Sequence, residues 1–327
     1  MTKTAVATEV ISRAVELACR APSLHNSQPW RWVATSTTVE LFVDPHRVVR
    51  STDSSGREAL IGCGAVLDHF RTAMAAAGWN TRIDEFPNPN KLEHLASIDF
   101  APLDDVRQVW RDRADAISRR RSDRLPFRTP KDWESVEPAL RSWFTDSLAE
   151  IDVLADDVRP QLAQASRLTE SLRRYDDYYH HELQWWTAPC RVSEGIPPSA
   201  LVSRSERDRV GIDRSFPPRW YGERRITVAQ DEAKILVLST PDDTRANAFH
   251  SGQVLSAVLL ACTVAGLATC PLTHITELEA SRNVIRDLIG RNVMPQVLIR
   301  VGTAPDVDDI PPPTPRRPVS EVLEIRR

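Results

Sequence analysis

Lysine is nearly missing from this chain: among 42 basic residues only Lys3, Lys91, Lys131 and Lys234 carry an ammonium, and the rest are arginines. Genome composition is one reading of that bias; a need for planar forks that grip phosphate is the other. A basic excess is missing too. With a net charge of -3 and a pI near 6.3 there is no global positive field, so no nucleic-acid partner is expected. Five cysteines, Cys19, Cys63, Cys190, Cys262 and Cys270, offer neither CxxC nor zinc-ligand spacing, so reduced, mostly buried thiols in a cytoplasmic protein are expected. There is no long apolar run and no signal-peptide core, hence no expected membrane partner. His180-His181-Glu182 diverge around a helix by about 100° per residue and lack HExxH spacing, which argues against a metal site. Gly62-x-Gly64 falls inside a helical pattern and not at a strand-to-helix turn, so it reads as close helix packing, not as a dinucleotide fingerprint. No Ser/His/Asp nucleophile constellation is evident.

What the chain does carry is a shaped polar loop, Ala21 to Trp32. Between Pro22 and Pro29, each of which fixes φ and withholds an amide donor, stand Ser23, His25, Asn26, Ser27 and Gln28, whose side chains compete for backbone groups and stop the preceding helix. A stiff loop of this kind suits a planar ligand with donors and acceptors on its edge; a capped helix end feeding a strand is the plainer alternative. A second cluster, Arg119-Arg120-Arg121-Ser122-Asp123-Arg124, ends a charged helix running from about 103 to 121. Arginines in a last turn complement the helix dipole. Their number exceeds that need and matches a bidentate grip on a dianionic phosphate.

The length of 327 residues allows about two domain-sized units or one intertwined unit. Periodicity predicts helices over about 8–20, 60–77, 136–148, 245–265 and 276–290, with Ser55/Glu58 and Thr276/Glu279 as capping boxes. One long helix is predicted from Pro160 to Trp186. Strands are predicted at 30–34, 39–43, 95–100, 151–154, 235–238 and 296–301, with a crossing segment at 267–273. Residues 187–230, rich in Pro, Arg, Ser and Gly with isolated aromatics such as Trp220 and Tyr221, are too long for a connector and read equally as lid or as surface filler. The tail at 311–318 reads as an extended arm. The chain also repeats itself: Gly64 to Gly78 and Gly252 to Gly266 share one interval, with Val and Leu in matching places, which suggests two similar halves about a pseudo-twofold axis.

Taken together, Pro22-Ser23-x-x-Asn26-x-Gln28-Pro29-Trp30, Arg120-Arg121-Ser122-x-Arg124-x-x-Phe127, Gly266-Leu267-Ala268-Thr269 and Arg316-Arg317-Pro318 resemble the FMN-dependent nitroreductase family, and the two-half chain resembles its Acg branch. The resemblance implies an α+β fold with central, mostly antiparallel sheets flanked by helices. It implies halves at 1–102 and 103–327, the latter carrying the 187–230 insert, that form a pseudo-dimer with one FMN at their interface. It also implies phosphate and ribityl contacts from Arg120, Arg121, Ser122, Arg316 and Arg317, and loop contacts from Ser23, His25, Asn26 and Gln28. Arg124 is placed near the pyrimidine end, and Leu272 and Thr273 stand where the family has its turn against flavin N5. Pro271-Leu272-Thr273-His274 departs there from the family's Pro-x-Glu-Gly. The implied activity is reduction of a nitroaromatic or quinone-like acceptor by NAD(P)H, in a monomer acting as a pseudo-dimer or in a weak homodimer. A flavin-storing protein with a lid and little turnover is the alternative, and a non-flavin interaction module a third.

Overall fold

The computed structural model describes residues 4–142, 149–189, 193–217, 223–305 and 312–326. Cys190, Trp220, Tyr221 and the end of the helix expected over 136–148 lie outside them. In chain order the elements are α1 (Thr8–Ala18), β1 (Trp30–Ala34), β2 (Thr38–Val43), α2 (Arg57–Ala76), β3 (Trp79–Glu85), β4 (His94–Pro102), α3 (Gln108–Arg119), α4 (Trp133–Ser142), β5 (Glu150–Leu154), α5 (Arg159–Leu172), α6 (Asp177–Trp186), α7 (Arg204–Val210), β6 (Lys234–Thr240), α8 (Arg245–Val264), β7 (Ala268–Leu272), α9 (Glu279–Ile289), β8 (Met294–Gly302), α10 (Val319–Val322) and β9 (Leu323–Ile325). They form an α+β fold with two sheets, ordered β3-β4-β2-β1-β9 and β5-β6-β8-β7. All pairings are antiparallel except β1 with β9, which run parallel with Trp32 opposite Leu323.

The two sheets are joined through α2 and α8, whose apolar side chains share one buried core. Neither helix has a polar face to give to solvent, as expected for helices enclosed on every side; α8 is long and apolar enough to cross a membrane, yet 78% of that stretch is buried inside the fold. Glycine sets their approach. A Cβ on Gly64 would lie 1.9 Å from the Phe249 carbonyl oxygen, and one on Gly252 would lie 2.0 Å from that of Ile61. In each case the glycine meets the carbonyl three residues before its counterpart, so the crossing is reciprocal. Both helices then stop at glycines in the left-handed region, Gly78 and Gly266.

Several expectations need correction. Strand β3 was not expected, because Trp79-Asn-Thr-Arg-Ile-Asp-Glu85 is an edge strand with alternate residues exposed and presents no apolar run. The long helix expected to Trp186 is broken between α5 and α6, where the Asp176 carboxylate accepts from the Tyr179 amide. Neither capping box forms. Helix α2 starts at Gly56 and α9 at Leu278 without side-chain caps; the Ala59 amide donates to Asp53, while Glu58 is buried against Arg57 at 2.5 Å. Residues 312–318 are without regular structure, as expected of an arm, but not free: Arg316 holds them to the carbonyls of Cys19 and Arg20, and β9 follows to complete the first sheet.

One buried charge pins the helices together. Asp68 on α2 is fully enclosed, with Arg71 at 2.6 Å, the Ser256 hydroxyl of α8 at 2.6 Å and Arg113 of α3 at 3.4 Å. Burial alone raises its pKa; Arg71, Arg113 and Ser256 outweigh burial and hold it below the usual value. Stability from this group is therefore present above the unfolded carboxyl value of about 4 and is lost as pH falls through the lower folded value. Asp68→Asn should cost about 3–5 kcal/mol in urea unfolding at neutral pH and flatten the acid limb of the stability profile; an unchanged acid limb would refute the assignment.

Candidate functional site

The polar loop adopts a backbone that its sequence did not reveal. His25, Asn26 and Gln28 all sit at positive φ, 52°, 58° and 51°, a region that costs non-glycine residues about 1–3 kcal/mol each and tends to be kept at functional sites. The Ser23 hydroxyl accepts from the Gln28 amide at 3.0 Å and closes the loop on itself. Asn26 donates to the carbonyls of Gly195 and Pro315 at 3.1 and 3.0 Å, so the insert and the tail are both tied to the loop. Its Oδ1 is buried without a partner among the described residues.

Beside this loop lies a cavity whose empty space, counted out to its open mouth, is about 1100 Å³. Ser23, His25, Asn26, Arg120, Arg121, Ser122, Arg124, Leu272, Thr273 and Arg316 line it, so ten of the twelve candidate residues meet in one place. Gln28 and Arg317 do not. Gln28 is fully buried behind the wall, donating to Asn26 O and Ser193 O and accepting from the Arg317 amide at 2.9 Å; the Arg317 side chain bonds Glu321.

One end of the cavity is strongly cationic. Arg20, Arg120, Arg121 and Arg316 line it, and among the described residues none of them is paired with a carboxylate. Arg120 donates to Arg20 O at 3.1 Å, and Arg316 donates to Cys19 O and Arg20 O at 2.9 and 3.1 Å. These bonds take up the carbonyls of the C-cap residue and the turn that follows α1. They leave Nε and Nη1 of Arg120 buried and unpartnered among the described residues. Burial and mutual repulsion push Arg120 down to about 10 and Arg316 down to about 9, and burial lowers Arg20 and Arg121 as well. Segment 120–127 is held rigidly: Asp123 N donates to Thr269 O of β7, and the fully buried Arg300–Asp231 pair accepts Phe127 N and donates to Leu125 O.

The other end was missed by sequence reasoning. Asp213, Arg214 and Phe216 come from the insert, Glu58 from α2 and His274 from the turn after β7. Arg214 pairs with Glu277 and bonds the Tyr179 hydroxyl at 3.0 Å. His274 Nε2 lies 2.8 Å from the Ser166 hydroxyl, which donates to Asp213 O at 3.1 Å. Burial, and then Arg214, hold His274 neutral; burial, then Arg214 and Arg124, do the same to His25. Burial pushes Glu58 up to about 8 against the pull of Arg57. For Asp213, Arg214 and Phe216 the composition shift of 187–230 was the only sequence signal; Glu58 had been read as a capping residue, and His274 only as part of the departure from the family's turn.

The insert itself is structured where described. Its Ser203–Glu206 capping box starts α7, and its latches are Arg47–Glu194, Arg224–Glu206 and Arg225–Asp123. Gly195, Ile196, Pro197, Ala200 and Phe216 form one wall of the cavity.

No family model matches the chain. It is 59% identical over 326 residues, covering all of this chain and 98% of the other, to the Mycobacterium tuberculosis protein named "Putative NAD(P)H nitroreductase acg". It is 35% identical over 331 residues, covering 97% of this chain and 91% of the other, to another M. tuberculosis protein named "Putative NAD(P)H nitroreductase Rv3131". Among solved structures, the FMN-dependent nitroreductase NfnB from Mycobacterium smegmatis in complex with NADPH is similar with a TM-score of 0.41 and 18% identity, over 67% of this chain and all of that one. Sharing more than half its residues with Acg from one end to the other, the chain belongs to the nitroreductase family, on its Acg branch.

Proposed function

We propose that this chain binds one FMN and acts as an NAD(P)H-dependent reductase of nitroaromatic or quinone-like acceptors. The observation that carries the reading is the quartet Arg20, Arg120, Arg121 and Arg316, four guanidiniums at one end of a cavity with no carboxylate against them. A cluster of like charges is costly until an anion joins it, and planar forks match a phosphate dianion. The names of the curated relatives, NAD(P)H nitroreductases, point to the same chemistry. In this reading the quartet and Ser122 hold the phosphate, Ser23 and Asn26 meet the ligand from the loop, and Arg124 supplies positive charge that favours an anionic reduced ring. When bound, FMN supplies hydride acceptance and delivery, so the protein needs no nucleophile of its own. Leu272 and Thr273 border the reacting region, and His25 and Phe216, in edge contact at 5.9 Å, exclude water from it. The units 1–102 and 103–327 are read as two halves of a pseudo-dimer, with β9 returned to the first, in a cytoplasmic chain that works as a monomer or a weak homodimer.

Stopped-flow mixing with NADPH or NADH tests the reading. Prompt bleaching of the flavin, followed by its return on adding a quinone, is the expected result; failure to take up FMN at all would overturn it. A second reading is a flavin-holding protein with little turnover, favoured by the latched insert that walls the cavity. Yellow colour that persists under excess NADPH would select it.

A further inference from the structure

Among the described residues, Asp213 is the one acid with a buried, unpartnered carboxylate oxygen. The residue is 5% exposed and lines the cavity; Oδ1 accepts from the Arg214 amide at 2.8 Å, while Oδ2 is buried and has no partner among the described residues. Its charged neighbours are Arg124, Arg214, Arg300 and, more weakly, Glu170, none of which belongs to the quartet; burial outweighs the arginines and raises its pKa above the usual carboxyl value. None of the three arginines is bonded to it through a side chain: Arg124 donates to Ala200 O, Arg214 pairs with Glu277 and Arg300 pairs with Asp231. The main chain cannot swing away, because Asp213 O is held by Ser166, itself braced by His274. A buried, immobile acceptor without a donor is expensive, and a ligand N–H is what would satisfy it.

We propose that Asp213 is a binding residue of this cavity that accepts a hydrogen bond from the imide N3–H of the flavin ring, an inference that rests on the FMN reading above. The two ends of the cavity then divide the work. Guanidiniums take the phosphate at one end, and a lone carboxylate oxygen reads a ring N–H at the other. Hydrogen bonds to charged groups set the expected size of the effect, about ten- to a hundred-fold in affinity.

The test compares FMN with N3-methyl-FMN, following binding by quenching of flavin fluorescence in the full chain. The unaltered protein is expected to bind the methylated flavin about ten- to a hundred-fold more weakly. Asp213→Ala should lose a similar factor for FMN and bind both flavins within about threefold of each other. Asp213→Asn, which can turn its amide oxygen toward the ring, should retain most of the affinity. Equal binding of both flavins by the unaltered protein would overturn the assignment while leaving the FMN reading intact, and so would a full preference for FMN in Asp213→Ala. Absence of binding by either flavin would instead sink the FMN reading. Should Asp213→Ala fail to fold, equal binding of both flavins by the unaltered protein would still overturn the assignment, and Asp213→Asn, which keeps an acceptor, should retain the preference for FMN.

Discussion

Arg316→Ala should weaken FMN binding by about 2–5 kcal/mol, the range for truncating one partner of a buried charged contact, while riboflavin, which lacks the phosphate, binds as before. The difference between the two ligands isolates the phosphate from any general damage to the cavity. Arg316 is a better target than Arg121: both are half-buried, but Arg316 is fixed by bonds to the carbonyls of Cys19 and Arg20, whereas Arg121 makes one long bond, 3.5 Å, to Ser118 O. A base whose folded pKa is depressed is a charge that folding disfavours, and its penalty is fully present below the folded value, which for Arg316 and Arg120 includes neutral pH. Inorganic phosphate should therefore raise the Tm of the FMN-free protein through linkage, and the increment should shrink in Arg316→Ala. Equal losses for FMN and riboflavin would show that Arg316 serves only to hold the turn after α1.

Gly64→Ala and Gly252→Ala should each destabilise the protein by about 4 kcal/mol or more, which places them among the exceptional single substitutions. By helix propensity alone, alanine would be preferred over glycine by about 1 kcal/mol. Sterics reverse the sign. Each new methyl group would lie about 2 Å from a carbonyl oxygen of the facing helix, so α2 and α8 must separate along the core they share. Gly62→Ala is the internal control: its Cβ would lie 3.4 Å from that of Ser23, an ordinary contact. Urea unfolding followed by circular dichroism should show the first two variants collapsing and the third close to the parent. Near-parent stability in Gly64→Ala would contradict the helix crossing.

How much of this was legible beforehand follows from what each residue does. The glycine interval was visible because it answers to sterics alone, and the same glycines set the helix crossing. The loop, the Arg-Arg-Ser segment and Arg316 were visible because their side chains are chemically unusual for their positions, and they meet at one cavity. Arg20 escaped notice because a lone arginine after a helix looks like a dipole cap, which it adjoins. Asp213 and Arg214 were hidden because nothing local distinguishes an acid in a polar insert from a solvated one; only the buried surroundings of the folded state make Asp213 Oδ2 costly. Gln28 shows the reverse error. Its sequence neighbourhood suggested a ligand contact, whereas its amide is spent joining loop, insert and tail. Strand β3 was hidden by charge, since an edge strand needs no apolar run.

The parallel pairing of β9 with β1 sets an order on biogenesis. As the polypeptide leaves the ribosome, β1 to β4 can form early, but β1 keeps an open flank until residues 323–325 emerge, almost three hundred residues later. Arg316 belongs to that same late stretch. The nascent protein therefore carries an aggregation-prone border and an unfinished anion grip for most of its synthesis, and both are completed by one event, when the tail docks on the opening loop.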